Sequence, residues 1–196
     1  MPRQKLEEKL YVPIVENLKS VYDYWYLDKS QIYSGNPEDK YRLQYSPKST
    51  IRNPHLEITA HGKFSEELKL KKFDYYMFRQ LFAEQLHPDI LGYVVKNPVK
   101  NPNSFETIAV EVKAKSLLIR DLMQAKLYET IFSAKHTFLI SPKGMTGEKI
   151  TVVMKHNDLL RGNVIIAKCG ENGKDLRIDP RLADYVPKEF RRFCKL

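Results

Sequence analysis

Residues 86–96 read Leu-His-Pro-Asp-Ile-Leu-Gly-Tyr-Val-Val-Lys, and residues 105–113 read Phe-Glu-Thr-Ile-Ala-Val-Glu-Val-Lys. Both stretches are rich in β-branched and aromatic side chains, which predicts strands over 89–96 and 105–113. The residues between them are dense in asparagine and proline, which favour turns and disfavour a central strand. The simplest prediction is an antiparallel hairpin.

Such a hairpin brings Asp89 beside Glu111 and Lys113. Because side chains alternate faces along a strand, Glu111 and Lys113 share one face and lie roughly 7 Å apart. The opposite face is apolar and requires a core; it carries Ile108, Val110 and Val112.

Two carboxylates and an ammonium are thereby expected to meet on an otherwise apolar sheet. Burying such groups without compensation is costly, and a divalent cation relieves the repulsion between Asp89 and Glu111. Oxygen ligands favour a hard ion such as Mg²⁺ or Mn²⁺. Lys113 would then lie beside the ion, where it could stabilise a developing negative charge or help to activate a water. The pattern predicts hydrolysis of phosphodiester bonds.

Three short motifs resemble a known family. Residues 88–89 (Pro-Asp) followed by residues 111–113 (Glu-Val-Lys) resemble the PD-(D/E)xK nuclease signature. Residues 124–128 (Gln-Ala-Lys-Leu-Tyr) resemble the Gln-x-x-x-Tyr motif of the RecB-like branch, which includes CRISPR-associated nucleases. The resemblance covers roughly residues 60–141.

The resemblance implies a role for each matching residue. It implies that Asp89, Glu111 and Lys113 are catalytic. It also implies that Asp89 and Glu111 bind the metal together with Val112, and that Gln124 and Tyr128 lie near the metal or the nucleic acid. Relatives often carry a further acidic residue upstream, for which the candidates are Glu84 and Glu57.

The Glu-x-Lys pattern alone is a weak signal, because it also occurs at residues 7–9, 38–40 and 67–69 in polar or ambiguous surroundings. Only Glu111 and Lys113 end an apolar strand, follow a Pro-Asp strand and precede a helix. The alternative interpretation is an ordinary hairpin with a surface Glu–Lys pair. The first strand that usually precedes the Pro-Asp strand in the family is not apparent.

Composition sets the limits around this core. The chain has 196 residues, of which 42% are hydrophobic, enough for one substantial domain or a core with an extension. We expect no membrane partner, because no apolar run reaches the 18 or so residues that span a bilayer and no signal-peptide pattern begins the chain. Cys169 and Cys194 are too few for a disulfide framework or an iron–sulfur cluster. A reduced, cytoplasmic protein is expected.

The formal net charge of +9 predicts a polyanionic partner, and nucleic acid is the commonest in cells. We expect DNA rather than RNA, bound by a homodimer or by a subunit of a larger repair or defence complex. Two alternatives stay open. The surface charge could have no ligand, or a nuclease-like fold could bind nucleic acid without cutting it.

The predicted fold is α/β: a restriction-endonuclease-like core, with a central mixed sheet flanked by helices, over residues 55–196 and a helical or irregular N-terminal extension over 1–54. Residues 3–27 predict helix, with Pro13 separating a short lead from a main helix over 13–27. The apolar stripe comprises Leu6, Leu10, Ile14, Leu18, Val21 or Tyr22, and Trp25. Residues 28–54 predict a mostly irregular stretch, whose aromatic residues either pack or stack on unpaired bases.

Further elements follow from pattern. Residues 55–60 predict a short strand, and Ser65 is a candidate N-cap for a helix expected to end near Leu86. Ser116 is expected to cap a helix over 117–134, which crosses to a parallel strand over 136–141. The tail predicts strands over 149–154 and 163–168 and a helix over 180–193. The end of that helix is basic and could grip phosphate; it carries Lys188, Arg191, Arg192 and Lys195.

Overall fold

One mixed sheet organises the part of the chain that the structure, a computed structural model, describes: residues 3–26, 41–45, 88–95 and 105–194. Its strands lie in the order β1-β2-β3-β4-β5. The β1–β2 and β2–β3 pairs are antiparallel, whereas the β3–β4 and β4–β5 pairs are parallel. Helices flank this sheet, which confirms the α/β class. The strands are β1 Tyr41–Tyr45, β2 Ile90–Val95, β3 Phe105–Val112, β4 His136–Ser141 and β5 Val164–Lys168.

The predicted hairpin is present between β2 and β3. The two strands are antiparallel, and their register pairs Ile90 with Val110. One step further along this register, Asp89 lies opposite Glu111. Because β2 begins at Ile90 and β3 ends at Val112, Asp89 and Lys113 both lie just outside the ladder.

The prediction of an irregular stretch over residues 28–54 is wrong at Tyr41–Tyr45, which forms strand β1 at the edge of the sheet. Its alternating sequence, Tyr-Arg-Leu-Gln-Tyr, fits a strand, but the glycine and prolines around it obscure the pattern. This strand stands between the opening helix and the Pro-Asp segment along the chain.

Helix α1 runs without interruption over Arg3–Tyr26, so the predicted break at Pro13 is wrong. A proline inside a helix costs about 3 kcal/mol, because it lacks an N–H and crowds the preceding turn. Each fully buried apolar side chain contributes about 1.5–3 kcal/mol, so burial on both sides of Pro13 outweighs that cost. The buried side chains of α1 in the main core are Leu10, Tyr11, Ile14, Val15 and Leu18. Leu6, which belongs to the predicted apolar stripe, is instead 44% exposed.

Helix α2, Ile119–Ile131, joins β3 to the parallel strand β4, as the predicted crossover requires. The helix begins later than residue 117 because Leu117 forms a β-bridge with Met145 and stays extended. Ser116 is therefore not its cap. The carboxylate of Asp121 instead accepts a hydrogen bond from the N–H of Leu118 at 2.8 Å and satisfies an amide at the helix start.

The predicted strand over 149–154 is wrong, because this segment belongs to helix α3, Gly147–Lys155. Ile150 and Val153 are buried whereas Val152 is exposed, which is a helical spacing that a short β-branched run conceals. Strand β5 confirms the prediction over 163–168. The predicted helix over 180–193 is wrong, because two short 3-10 helices, Pro180–Leu182 and Lys188–Phe193, replace it. A third 3-10 helix follows α3 at Asn157–Leu159.

Several predictions lie outside the described residues. They include the strand over 55–60, the helix from Ser65 to Leu86, and the acidic candidates Glu57 and Glu84. The domain boundary near residue 54 stays a prediction. In the ranges that are described, no helix has the length and apolar character needed to cross a bilayer.

Candidate functional site

The predicted catalytic residues meet at one end of the β2–β3 hairpin. Asp89 directly precedes β2, Glu111 lies near the end of β3, and Lys113 directly follows it. The two acidic residues are fully buried and Lys113 is 8% exposed. Because buried charges are costly unless they are paired and hydrogen-bonded, their contacts indicate how the fold tolerates them.

Donors from different elements hold Asp89 in place. The Val112 backbone N–H donates to its Oδ2 at 2.7 Å, and the Tyr11 hydroxyl of α1 donates to its Oδ1 at 2.8 Å. The carboxylate is therefore fixed against both the hairpin and α1.

Glu111 and Lys113 share a face of β3, as strand alternation predicts. The Lys113 ammonium donates to Oε1 of Glu111 in a buried ion pair. Both residues lie at the carboxyl end of β3, the strand that pairs in parallel with β4.

Gln124 and Tyr128 lie one turn apart on α2, and the Gln124 side-chain amide donates to the Tyr128 hydroxyl at 2.5 Å. Tyr128 packs against Ala109 and Phe132 in a small apolar cluster. Burial raises the pKa of Tyr128, and the neighbouring Glu111 carboxylate raises it further through its charge and a hydrogen bond. Tyr128 is therefore both a core residue and a neighbour of Glu111.

The sequence interpretation missed two residues of α1 that belong to this site. Besides Tyr11, the carboxylate of Glu7 reaches the hairpin, where its Oε1 accepts the Ala114 N–H at 3.2 Å. Glu7 is only 6% exposed, although its Glu-x-Lys pattern has polar surroundings in the sequence. The available signal was its spacing, because Glu7 occupies the same helical face as the buried Tyr11, Ile14 and Leu18.

Tyr11 lies among three carboxylates. Burial raises its pKa most, and the charge of Asp89, a hydrogen bond to Asp89, and the charges of Glu7 and Glu111 raise it further. The phenol is therefore protonated at neutral pH and serves as a donor to Asp89. This arrangement ties α1 to the hairpin end.

The raised pKa values of Tyr11 and Tyr128 predict an alkaline loss of stability. Above about pH 10, phenols of the unfolded chain ionise while these two stay protonated, so the folded state binds more protons and the free energy of unfolding falls as pH rises. Urea unfolding between pH 7 and 11 should show a shallower decline for Tyr11→Phe/Tyr128→Phe than for the wild type. Parallel declines would contradict the assignment.

The donor set suits a hard cation. The described residues contain no group of three or more His, Cys, Asp or Glu side chains arranged for a metal. Mg²⁺ is commonly held by one or two carboxylates and completes its shell with water and phosphate oxygens. Asp89 and Glu111 fit that requirement and do not fit a nitrogen- and sulfur-rich zinc site.

Comparisons with known proteins identify no relative: the chain matches no protein-family model, no curated protein and no solved structure.

Proposed function

We propose that this protein is a divalent-metal-dependent nuclease that hydrolyses phosphodiester bonds in DNA, built on a restriction-endonuclease-like core of the RecB-like PD-(D/E)xK type. The observation that carries the proposal is the joint burial of Asp89, Glu111 and Lys113 at the carboxyl end of β3. Open α/β sheets place their ligands at the carboxyl ends of strands. Carboxylates beside an ammonium are the groups that metal-assisted phosphodiester hydrolysis requires.

In this proposal, Asp89 and Glu111 hold Mg²⁺ or Mn²⁺, with Val112 as the further contact that the family resemblance implies. The bound ion would supply charge neutralisation and make a water more acidic. Lys113 stabilises negative charge that develops on the phosphate, because its ammonium is fixed by Glu111.

The surrounding residues orient these groups. Tyr11 holds one oxygen of Asp89, and the Val112 N–H holds the other. Tyr128, held by Gln124, lies beside Glu111. Hydrogen bonds of this kind orient metal-binding carboxylates. These neighbours therefore position Asp89 and Glu111 without contacting the ion themselves.

A nucleic acid is the proposed substrate class because the chain carries a net charge of +9 and a basic protein attracts the phosphate backbone. Within that class we propose DNA rather than RNA. The proposed targets are single-stranded regions, ends or branches. The test is to incubate purified protein with labelled single-stranded, duplex and branched DNA and a matched RNA, in Mg²⁺, in Mn²⁺ and in EDTA. We expect cleavage of DNA that requires the metal and is lost in Glu111→Gln, which removes a charge with little change in size.

One observation favours a second function, a nucleic-acid-binding protein or complex subunit that does not cut. The Lys113 ammonium already occupies an oxygen of Glu111, one of the two proposed metal ligands. Intact DNA in every metal condition, together with tight binding, would select this alternative over the nuclease.

A further inference from the structure

A cleft of about 740 Å³ lies away from the buried carboxylates. One wall is the turn of α1 from Pro13 to Asn17. The other walls are residues 174–177 and residues 192–193, which end the 3-10 helix Lys188–Phe193. Its volume lies within the range of about 300–1,000 Å³ that is typical of pockets for small ligands. The cleft can therefore admit one nucleotide-sized group and is too small for a double helix.

The cations of the cleft come from two of its walls. Lys174 and Arg177 belong to the wall formed by residues 174–177, and Arg192 belongs to the 3-10 helix Lys188–Phe193. Neither the Lys174 ammonium nor the Arg177 guanidinium has a side-chain hydrogen bond or ion pair in the described parts of the chain. The Arg192 guanidinium lies 4.8 Å from the centre of the Phe193 ring. Lys174 and Arg177 are exposed, so these two cations of the cleft can bind phosphate.

The same cleft carries groups that suit a base. Asn17 offers an amide, and Glu16 and Asp175 offer carboxylates. These are the side chains that hydrogen-bond the edges of unpaired bases, whereas the cations suit the phosphate. The mixture of charges distinguishes this cleft from a simple anion site.

The backbone fixes the walls relative to one another. Arg177 exchanges two hydrogen bonds with Lys168, each of 2.7 Å, and the Ile178 N–H donates to the Phe193 carbonyl at 2.7 Å. The segment that follows Gly173 is therefore held both to the end of β5 and to the 3-10 helix Lys188–Phe193. A preorganised site of this kind loses less entropy when a ligand binds.

Gly173 holds the loop against α1. It has a φ of +78°, and an added Cβ would lie 2.9 Å from the Pro13 Cβ and 3.0 Å from the Leu10 carbonyl oxygen. Only glycine permits this approach without strain. The contact brings residues 174–177 close to the helix that also carries Glu7 and Tyr11.

We propose that this cleft binds an unpaired nucleotide of a nucleic-acid strand, with its phosphate on Lys174 and Arg177. The proposal rests on the proposed nuclease function, because α1 joins the cleft to the carboxylate site. Along α1, Tyr11 and Asn17 are about 9 Å apart by the helical rise per residue. A strand held in the cleft would therefore be anchored a short distance from the bond that is cut.

The experiment measures binding of labelled oligo-dT by fluorescence anisotropy in EDTA, where no cleavage occurs. The test variant is Lys174→Ala/Arg177→Ala, and the matched control is Lys143→Ala/Lys155→Ala, which removes two exposed cations outside the cleft. We expect the cleft variant to lose affinity by about tenfold or more, the effect of removing two charge-assisted contacts. The slope of log affinity against log salt should fall by about 1.4, since each neutralised phosphate of a single strand contributes about 0.7.

Equal weakening by the cleft variant and the control would overturn the proposal, because it would show a general charge effect. Binding of blunt duplex DNA that depends on the cleft as strongly as oligo-dT binding would also overturn it. The two proposals fail separately. Cleft-dependent binding without cleavage in Mg²⁺ or Mn²⁺ contradicts the nuclease alone, whereas metal-dependent cleavage with unchanged KM in the cleft variant contradicts the cleft alone.

Discussion

Replacing Lys113 by alanine is expected to slow single-turnover cleavage by on the order of 10²-fold or more, while the affinity for DNA changes little. The reason is the position of the Lys113 ammonium, which is buried and held by Glu111 at the proposed reaction centre. Its charge matters most when negative charge develops in the transition state. Cleavage by saturating enzyme and a binding titration in EDTA separate the two effects.

Two controls sharpen the Lys113 experiment. Lys115→Ala removes an exposed lysine from the same segment and should cleave at the wild-type rate. Breaking a buried ion pair costs about 3–5 kcal/mol, so slow cleavage must be distinguished from unfolding. The second control, Lys113→Met, keeps most of the side-chain volume. A thermal melt of each variant shows whether it is folded. Cleavage by folded Lys113→Met at the wild-type rate would refute the role assigned to this residue.

The parts of the fold that are local in sequence could be predicted. The hairpin follows from two β-rich segments around an asparagine- and proline-rich turn, and the crossover follows from the pattern of strand, helix and strand. These features depend on side-chain periodicity and turn residues, which a sequence displays directly. They are also the features that bring Asp89, Glu111 and Lys113 together.

The parts that depend on distant contacts could not be predicted. Pro13 is tolerated inside α1 because the core packs around it, and Leu117 stays extended because Met145 lies beside it. In α3, burial of Ile150 and Val153 selects a helix for a sequence whose β-branched residues favour a strand. In each case a tertiary contact outweighs a local preference.

The site shows the same division. Two of its elements, the hairpin and α2, are close in sequence and carry motif-like spacing. Tyr11, in contrast, is 78 residues from Asp89, and nothing local connects them. Only the packing of α1 on the sheet reveals that a tyrosine and Glu7 face the hairpin end. The periodicity of side chains along the sequence does not reveal contacts between distant segments. It does indicate that Glu7 lies on the buried face of its helix, which is unusual for a glutamate.

Tyr11→Phe tests whether α1 supports the metal site or only packs on it. The substitution removes one hydroxyl and no charge, so Asp89 loses its bond at Oδ1 and keeps the Val112 bond at Oδ2. Loss of an orienting hydrogen bond to a metal ligand typically lowers metal affinity by about 10- to 100-fold. Titration calorimetry with Mn²⁺ should therefore show weaker binding, and cleavage should recover largely at high Mn²⁺.

The control for Tyr11→Phe is Tyr185→Phe, which removes the same hydroxyl from a half-buried tyrosine of the C-terminal segment. It should leave Mn²⁺ affinity unchanged. Because a hydrogen bond contributes about 0.5–1.5 kcal/mol to folding, a lower melting temperature alone does not distinguish the two roles of Tyr11. The metal titration does, since packing of α1 has no direct effect on the affinity of Asp89 for an ion. Unchanged Mn²⁺ affinity in a Tyr11→Phe protein with a lowered melting temperature would limit Tyr11 to holding the helix on the sheet.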